Sequence, residues 1–209
     1  MRPTAAERRL HLAVLAVFSL VLAWSAWHPR DGFIWFLESV PALAAAVVLA
    51  ALFPRARLTP LVLVLVLLHA LVLMVGGHYT YAEMPLFNWL RDTLGLARNH
   101  YDRLGHVMQG FVPALVAREI LLRYRVVSGR GWLALIVTCI CLAISAFYEL
   151  IEWWVAVGTG EAAAAFLATQ GDVWDTQWDM FLALLGALAS QVLLGGLHDR
   201  QLAARGLDR

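Results

Sequence analysis

Lysine is missing from this chain: all 16 basic residues among its 209 are arginine. Charge of any kind is scarce, at 15% of residues with a formal net charge of +1, against roughly 25% charged in an ordinary soluble domain. Such a chain offers no basic field for a phosphate backbone, so nucleic acid is excluded as a partner. Disorder needs low hydrophobicity, and 61% of these residues are hydrophobic, with a mean hydropathy of +0.70. Cysteine occurs only at 139 and 141, two apart in one apolar run. Within a helix that pair cannot form a disulfide, so packing is the expected role. A glycine-rich phosphate loop, a G-x-S-x-G elbow and an H-E-x-x-H zinc motif are all absent, as are internal repeats and low-complexity linkers. The chain is therefore read as one domain, 1–209, either a polytopic membrane protein or a greasy soluble bundle. Run length decides between them.

A crossing helix needs about 20 mostly apolar residues. Six segments meet that demand, at about 10–27, 33–53, 60–76, 99–124, 132–157 and 173–197. The first follows Arg8 and Arg9 and runs into Trp24, Trp27 and Pro29, which makes it an uncleaved span rather than a signal peptide. Between the third and fourth, 84–96 places Leu86, Phe87, Leu90, Leu94 and Leu96 at roughly helical spacing, as in a short helix lying in the interface. A second short helix is expected over 161–170, which is mostly alanine. Tryptophans near the span ends form an aromatic belt. The fold class is all-α: six transmembrane helices and one interfacial helix.

Arginine placement sets the orientation. Eleven (Arg2, Arg8, Arg9, Arg55, Arg57, Arg123, Arg125, Arg130, Arg200, Arg205 and Arg209) fall on the side of the termini, and three (Arg30, Arg91 and Arg98) on the other. The excess marks the cytoplasmic face, so both termini are expected in the cytoplasm of a bacterial inner membrane.

Ionisable groups inside a bilayer are costly unless paired or hydrated, so their positions carry information. The fourth span opens with NHYDRLGH (His100, Asp102, Arg103, His106). The fifth closes with FYELIEWW (Tyr148, Glu149, Glu152). The sixth opens with GDVWDTQWDM (Asp172, Asp175, Asp179), and the third closes with GGHYTYAE (His78, Glu83). With the termini inside, all four reach the outer side. His106, Glu149 and Asp179 then lie roughly 10–12 Å below their helix mouths at 1.5 Å per residue. Asp102 and His106 are four apart, Glu149 and Glu152 three, and Asp175 and Asp179 four, so each set shares a face. Glu38, one turn ahead of Pro41, reads as an outer-interface residue. His11 and His69 read as core or interfacial residues. Gly110 with Ala114, and Gly186 with Ser190, are small-residue pairs suited to close helix contact.

Carboxylates with one or two imidazoles suit a divalent cation. Oxygen ligands favour Mg²⁺, Ca²⁺ or Mn²⁺, and imidazole adds Zn²⁺ and Fe. The candidate ligands are His100, Asp102, His106, Glu149, Asp175 and Asp179. The same residues with Glu152 supply acid/base groups, while Arg103, Tyr148 and His78 would hold a substrate. The pattern fits a metal-dependent site acting on a lipid or lipid-linked substrate at the outer leaflet. It also fits a proton-coupled permease, or an accessory protein whose acids pair with a partner's arginines.

The blocks HYTYAEMPLFNWL, NHYDRLGH, FYELIEWW and GDVWDTQWDM, in that chain order, resemble the YjdF-type family of bacterial inner-membrane proteins over about residues 78–190. More distantly they are similar to VanZ-like proteins, which share a D-[KR]-x-x-H block, matched by Asp102, Arg103 and His106. An acidic E-x-x-[EQ] block is matched by Glu149 and Glu152, and a two-aspartate helix start by Asp175 and Asp179. Arg103 stands where lysine is usual in that pattern, and no Asn follows Asp179 at its spacing. The resemblance implies a bacterial polytopic membrane protein with a polar site on its outer side.

Overall fold

A computed structural model describes residues 4–52, 57–160 and 166–207. The described residues form seven α-helices and one 3₁₀ turn, with no strand. They are α1 (Ala5–Ala26), α2 (Gly32–Leu52), α3 (Pro60–Tyr79), the turn Tyr81–Glu83, α4 (Pro85–Leu94), α5 (Tyr101–Arg123), α6 (Arg130–Thr159) and α7 (Asp175–Ala203). All but α5 and the short α4 are long and apolar enough to cross a membrane.

Local chemistry sets the ends. Thr4 and Glu7 form a reciprocal capping box on α1, satisfying two amides the helix leaves free. Asp31 Oδ1 accepts from the amides of Phe33 and Ile34 at the start of α2. Pro60 occupies the first turn of α3, where its missing amide costs nothing. Gly95, at φ +65°, closes α4 in the left-handed conformation that glycine adopts most readily.

Three expected boundaries shift. The first helix reaches back to Ala5, the third runs on to Tyr79, and the last begins at Asp175 and continues to Ala203. The helix expected over 161–170 is not found: 161–165 lies outside the described residues, and Phe166–Gln170 is turn and loop. Its Ala168 and Gln170 both have positive φ, and that irregular backbone folds over the start of α5.

α5 is central, packing on α3, α6 and α7. Its polar positions explain both its lower apolarity and its place: Asp102, His106, Arg118 and Glu119 are all buried. Against α7 the approach is backbone to backbone. A Cβ added at Gly110 would stand 1.8 Å from the Ala183 carbonyl oxygen, and one at Gly186 would stand 2.2 Å from that of Val107. Cys141 is buried in the α5–α6–α7 core, and Cys139 is exposed.

Candidate functional site

The first turns of α5 and α7 and the last turns of α6 meet at one end of the molecule. His106 is the hub. Its Nδ1 lies 3.1 Å from Gln109 Oε1. Its Nε2 lies 3.5 Å from Asp102 Oδ1 and 3.8 Å from Asp179 Oδ2, and Glu149 Oε1 lies 3.9 Å from Nδ1. Asp102, His106 and Asp179 offer one ligand atom each, all within 4.8 Å of one another, and so do His106, Glu149 and Glu152. These five side chains are buried.

The polar atoms there lack partners. Asp102 Oδ2, Glu149 Oε1, Asp179 Oδ1, and the Tyr81 and Tyr148 hydroxyls are buried with no hydrogen-bond partner among the described residues. A buried polar atom left unpaired costs about 1–3 kcal/mol, more if charged. Several of them stand together here. His106 Nδ1 is within hydrogen-bond distance of the Gln109 carbonyl oxygen, and Nε2 faces carboxylate oxygens of Asp102 and Asp179. One ring nitrogen and two carboxylate oxygens therefore converge from α5 and α7.

Arg98 supplies the nearest fixed positive charge. It is buried, donates to Asp175 and to the Ala168 carbonyl at 2.9 Å, and lies 3.7 Å from Asp102 and 3.6 Å from Asp172. Asn99 fixes the same corner. It exchanges bonds with the Gln170 side chain at 2.8 and 2.9 Å, donates to the Met84 carbonyl and Asn88, and its Oδ1 accepts from the Tyr101 amide.

Several expected site residues are placed elsewhere. His100 stands at the mouth of α5 outside both ligand groups. Burial together with the charges of Arg103 and Arg98 holds its imidazole below the ordinary value. Asp175 is the counter-ion of Arg98 and outside both groups. His78 Nδ1 bonds the Ser25 carbonyl at 3.0 Å and its ring packs 4.5 Å from Trp24, so it ties α3 to α1. Arg103 pairs with Asp172 at 2.8 Å and lies over the Trp178 ring. Tyr148 does join the site, edge-on to His106 with centroids 6.4 Å apart.

Glu38 is a correction. It is not interfacial but 3% exposed, within electrostatic reach of Asp102, His106, Tyr81 and Tyr148. It makes six buried carboxylates at this end, with Asp102, Glu149, Glu152, Asp175 and Asp179. Arg98 and Gln109 were also overlooked, the first because it precedes its helix. His69 lines a cavity beneath the site rather than packing in the core, and His11 bonds its own helix at the Glu7 carbonyl.

The opposite end is built otherwise. Glu119 accepts from the Thr59 amide and hydroxyl and from Arg123, and it lies 3.2 Å from His198 Nε2. Arg118 donates to His198 Nδ1 at 2.9 Å and to Asp199. His198 is thereby fixed as the Nε2–H tautomer, donating to Glu119. No atom of this network is left without a partner. It staples α3, α5 and α7.

The chain belongs to the family of predicted membrane proteins DUF2238. The family model matches residues 10–200. The inner membrane protein YjdF of Escherichia coli strain K12 is 51% identical over 189 residues, covering 90% of each chain. No solved structure matches. Neither comparison extends the likeness to VanZ-type proteins. Membership of DUF2238 and the five long apolar helices together make this an integral membrane protein.

Proposed function

We propose that this chain is a single inner-membrane domain crossing the bilayer six times, with a divalent-cation site at its outer end that acts on a lipid or lipid-linked substrate. The observation that carries the reading is the set of buried carboxylate oxygens of Asp102, Glu149 and Asp179 around His106 that make no hydrogen bond to the described residues. Two ligands about 2.1 Å from an ion at tetrahedral angles sit about 3.4 Å apart. The 3.5 and 3.8 Å separations around Nε2 are within a small adjustment of that. Asp102, His106 and Asp179 hold the ion. Glu149 and Glu152, on the Nδ1 side, are the acid/base pair. One imidazole with two carboxylates suits Zn²⁺, Mn²⁺ or Fe²⁺ over Ca²⁺.

α5 is the sixth crossing. Its 23 residues extend about 35 Å, enough for a core of about 30 Å, and its charges face protein. α4 presents Leu86, Trp89 and Leu94 outward, as an interfacial helix does. The arginine excess puts both termini in the cytoplasm. Below the site the cavity is walled mostly by apolar side chains, among them Leu73, Val112, Val116 and Ile120, with His69 as its titratable group away from the His106 end; proton-linked flux in proteoliposomes, lost in His69→Ala, would favour a proton-coupled permease instead.

Thermal unfolding of the detergent-solubilised protein tests this. Saturation at 100 times Kd adds about 2.7 kcal/mol, or about 5–10 °C for a chain of this size. Chelation should lower the midpoint by that amount, one added metal should restore it, and Asp179→Asn should abolish the response. If neither chelator nor metal moves the curve between pH 6 and 8, the carboxylates are held by protons and the metal reading fails.

A further inference from the structure

Beneath His106 lies a cavity of about 460 Å³ walled by α2, α3, α5 and α6. Along α5 its lining runs from Gly105 to Ile120, about 22 Å at the rise of a helix. At the site end it meets His106, Tyr81 and Tyr148; elsewhere its polar lining is His69 and Gln109. A second cavity of about 740 Å³, between α2 and α6, shares Pro41, Ile140, Ile144 and Tyr148 with the first. The slot exists because α2 packs on α3 while α6 packs on α5 and α7, and α2 and α6 barely touch.

We infer that this cavity takes one long hydrocarbon chain of a membrane lipid, entering sideways between α2 and α6, with the lipid's polar junction at Tyr81 and Tyr148. The inference rests on the reading of the His106 end as a lipid-acting site and names what that site holds. A compartment about 22 Å deep, with most of its polar groups at the His106 end and His69 the one titratable group along its wall, matches an amphiphile. A second copy's helix does not fit: a cylinder about 10 Å across and 22 Å long occupies about 1,700 Å³. A peptide segment would bury backbone groups against walls that offer almost no partners. Water does not fill so apolar a space. The Tyr81 and Tyr148 hydroxyls are buried in the lining and make no hydrogen bond of ordinary length, with the Glu38 carboxylate facing both, so each can turn to donate to an ester or phosphate oxygen. An acyl chain and an isoprenoid chain present the same chemistry to these walls.

Photo-crosslinking of the full chain in nanodiscs tests the inference. One probe is a phosphatidylglycerol with a diazirine midway along one acyl chain, and the other a polyprenyl phosphate with a diazirine in the chain. Adducts are expected on the cavity faces of residues 41–49 and 140–148, and the probe that gives them distinguishes acyl from isoprenoid. Ala45→Trp, which fills the cavity, should cut the yield about tenfold. Should that variant misfold, Ala143→Trp, at an exposed position in the slot, should do the same. Adducts confined to outward residues such as Val47 and Leu142, unchanged in the filled variant, overturn the inference, as do chain-to-chain products across the slot. The metal response is measured on the same samples. Cavity adducts without it uphold the chain site and sink the metal reading; the metal response without cavity adducts does the reverse.

Discussion

Arg98 shows how much a single residue can organise. It contacts Asp175, Asp102 and Asp172 and the Ala168 carbonyl, so it neutralises acids from two helices and holds the loop that covers them. Removing one partner of a buried ion pair leaves the other uncompensated, at about 3–5 kcal/mol. Arg98→Met should destabilise by that amount, and Asp175→Leu added to it should recover part, because the orphaned acid is then gone. Equal stability of the single and double variants in thermal unfolding would show that the pairing matters little. Asp102, His106, Glu149 and Asp179 were legible in the sequence because each repeats on one helical face at one depth. Arg98 was not, because it lies ahead of its helix and has no register. Glu38 was not, because it is the sole acid of α2 and nothing in its own segment distinguishes a buried carboxylate from an interfacial one. His100 and Asp175 were drawn into the ligand set by proximity in sequence, but both face arginine.

At the scale of elements, α5 and α7 form the rigid unit on which the site is built. Their backbones touch at Gly110 and Gly186, so Asp102 and His106 are fixed relative to Asp179 about one to two turns away. Any side chain there forces the helices apart. Gly186→Ala should destabilise by at least the roughly 1–3 kcal/mol of ordinary overpacking, since the obstructing atom is backbone and cannot rotate away. Gly196, exposed on the same helix with open space around its Cα, is the control. There Gly→Ala should be neutral or stabilising by up to about 1 kcal/mol through helix propensity. Equal loss at both positions would refute close backbone contact as the cause. The small-residue spacing that predicts this contact is visible in the sequence, as are the long apolar runs. A helix over 161–170 is expected from the alanine run at 162–165, which lies outside the described residues, whereas bonds with Arg98 and Asn99 hold 168–170 as a loop.

Across the whole molecule the two ends differ in kind. At the end shared by the termini, Glu119, His198 and Arg118 satisfy one another, and Arg205 donates to the Arg57 and Leu58 carbonyls and to Glu7. At the other, buried acids outnumber their cations and their oxygens go unpaired. A closed, arginine-rich end suits the anionic cytoplasmic leaflet, and an unsatisfied end suits a site that takes ligands from outside. That assignment depends on orientation, for which eleven arginines against three predict cytoplasmic termini. Fusions of a reporter active only in the periplasm should give signal after Gly95 and after Gly160. Fusions after Arg57, after Arg125 and at the C-terminus should be silent there and active with a cytoplasmic reporter. The inverse pattern would move the His106 site to the cytoplasmic leaflet. A mixed pattern, with Gly95 and Gly160 on opposite sides, would remove α5 or α6 from the set of crossings and with it the shared depth on which the site was read.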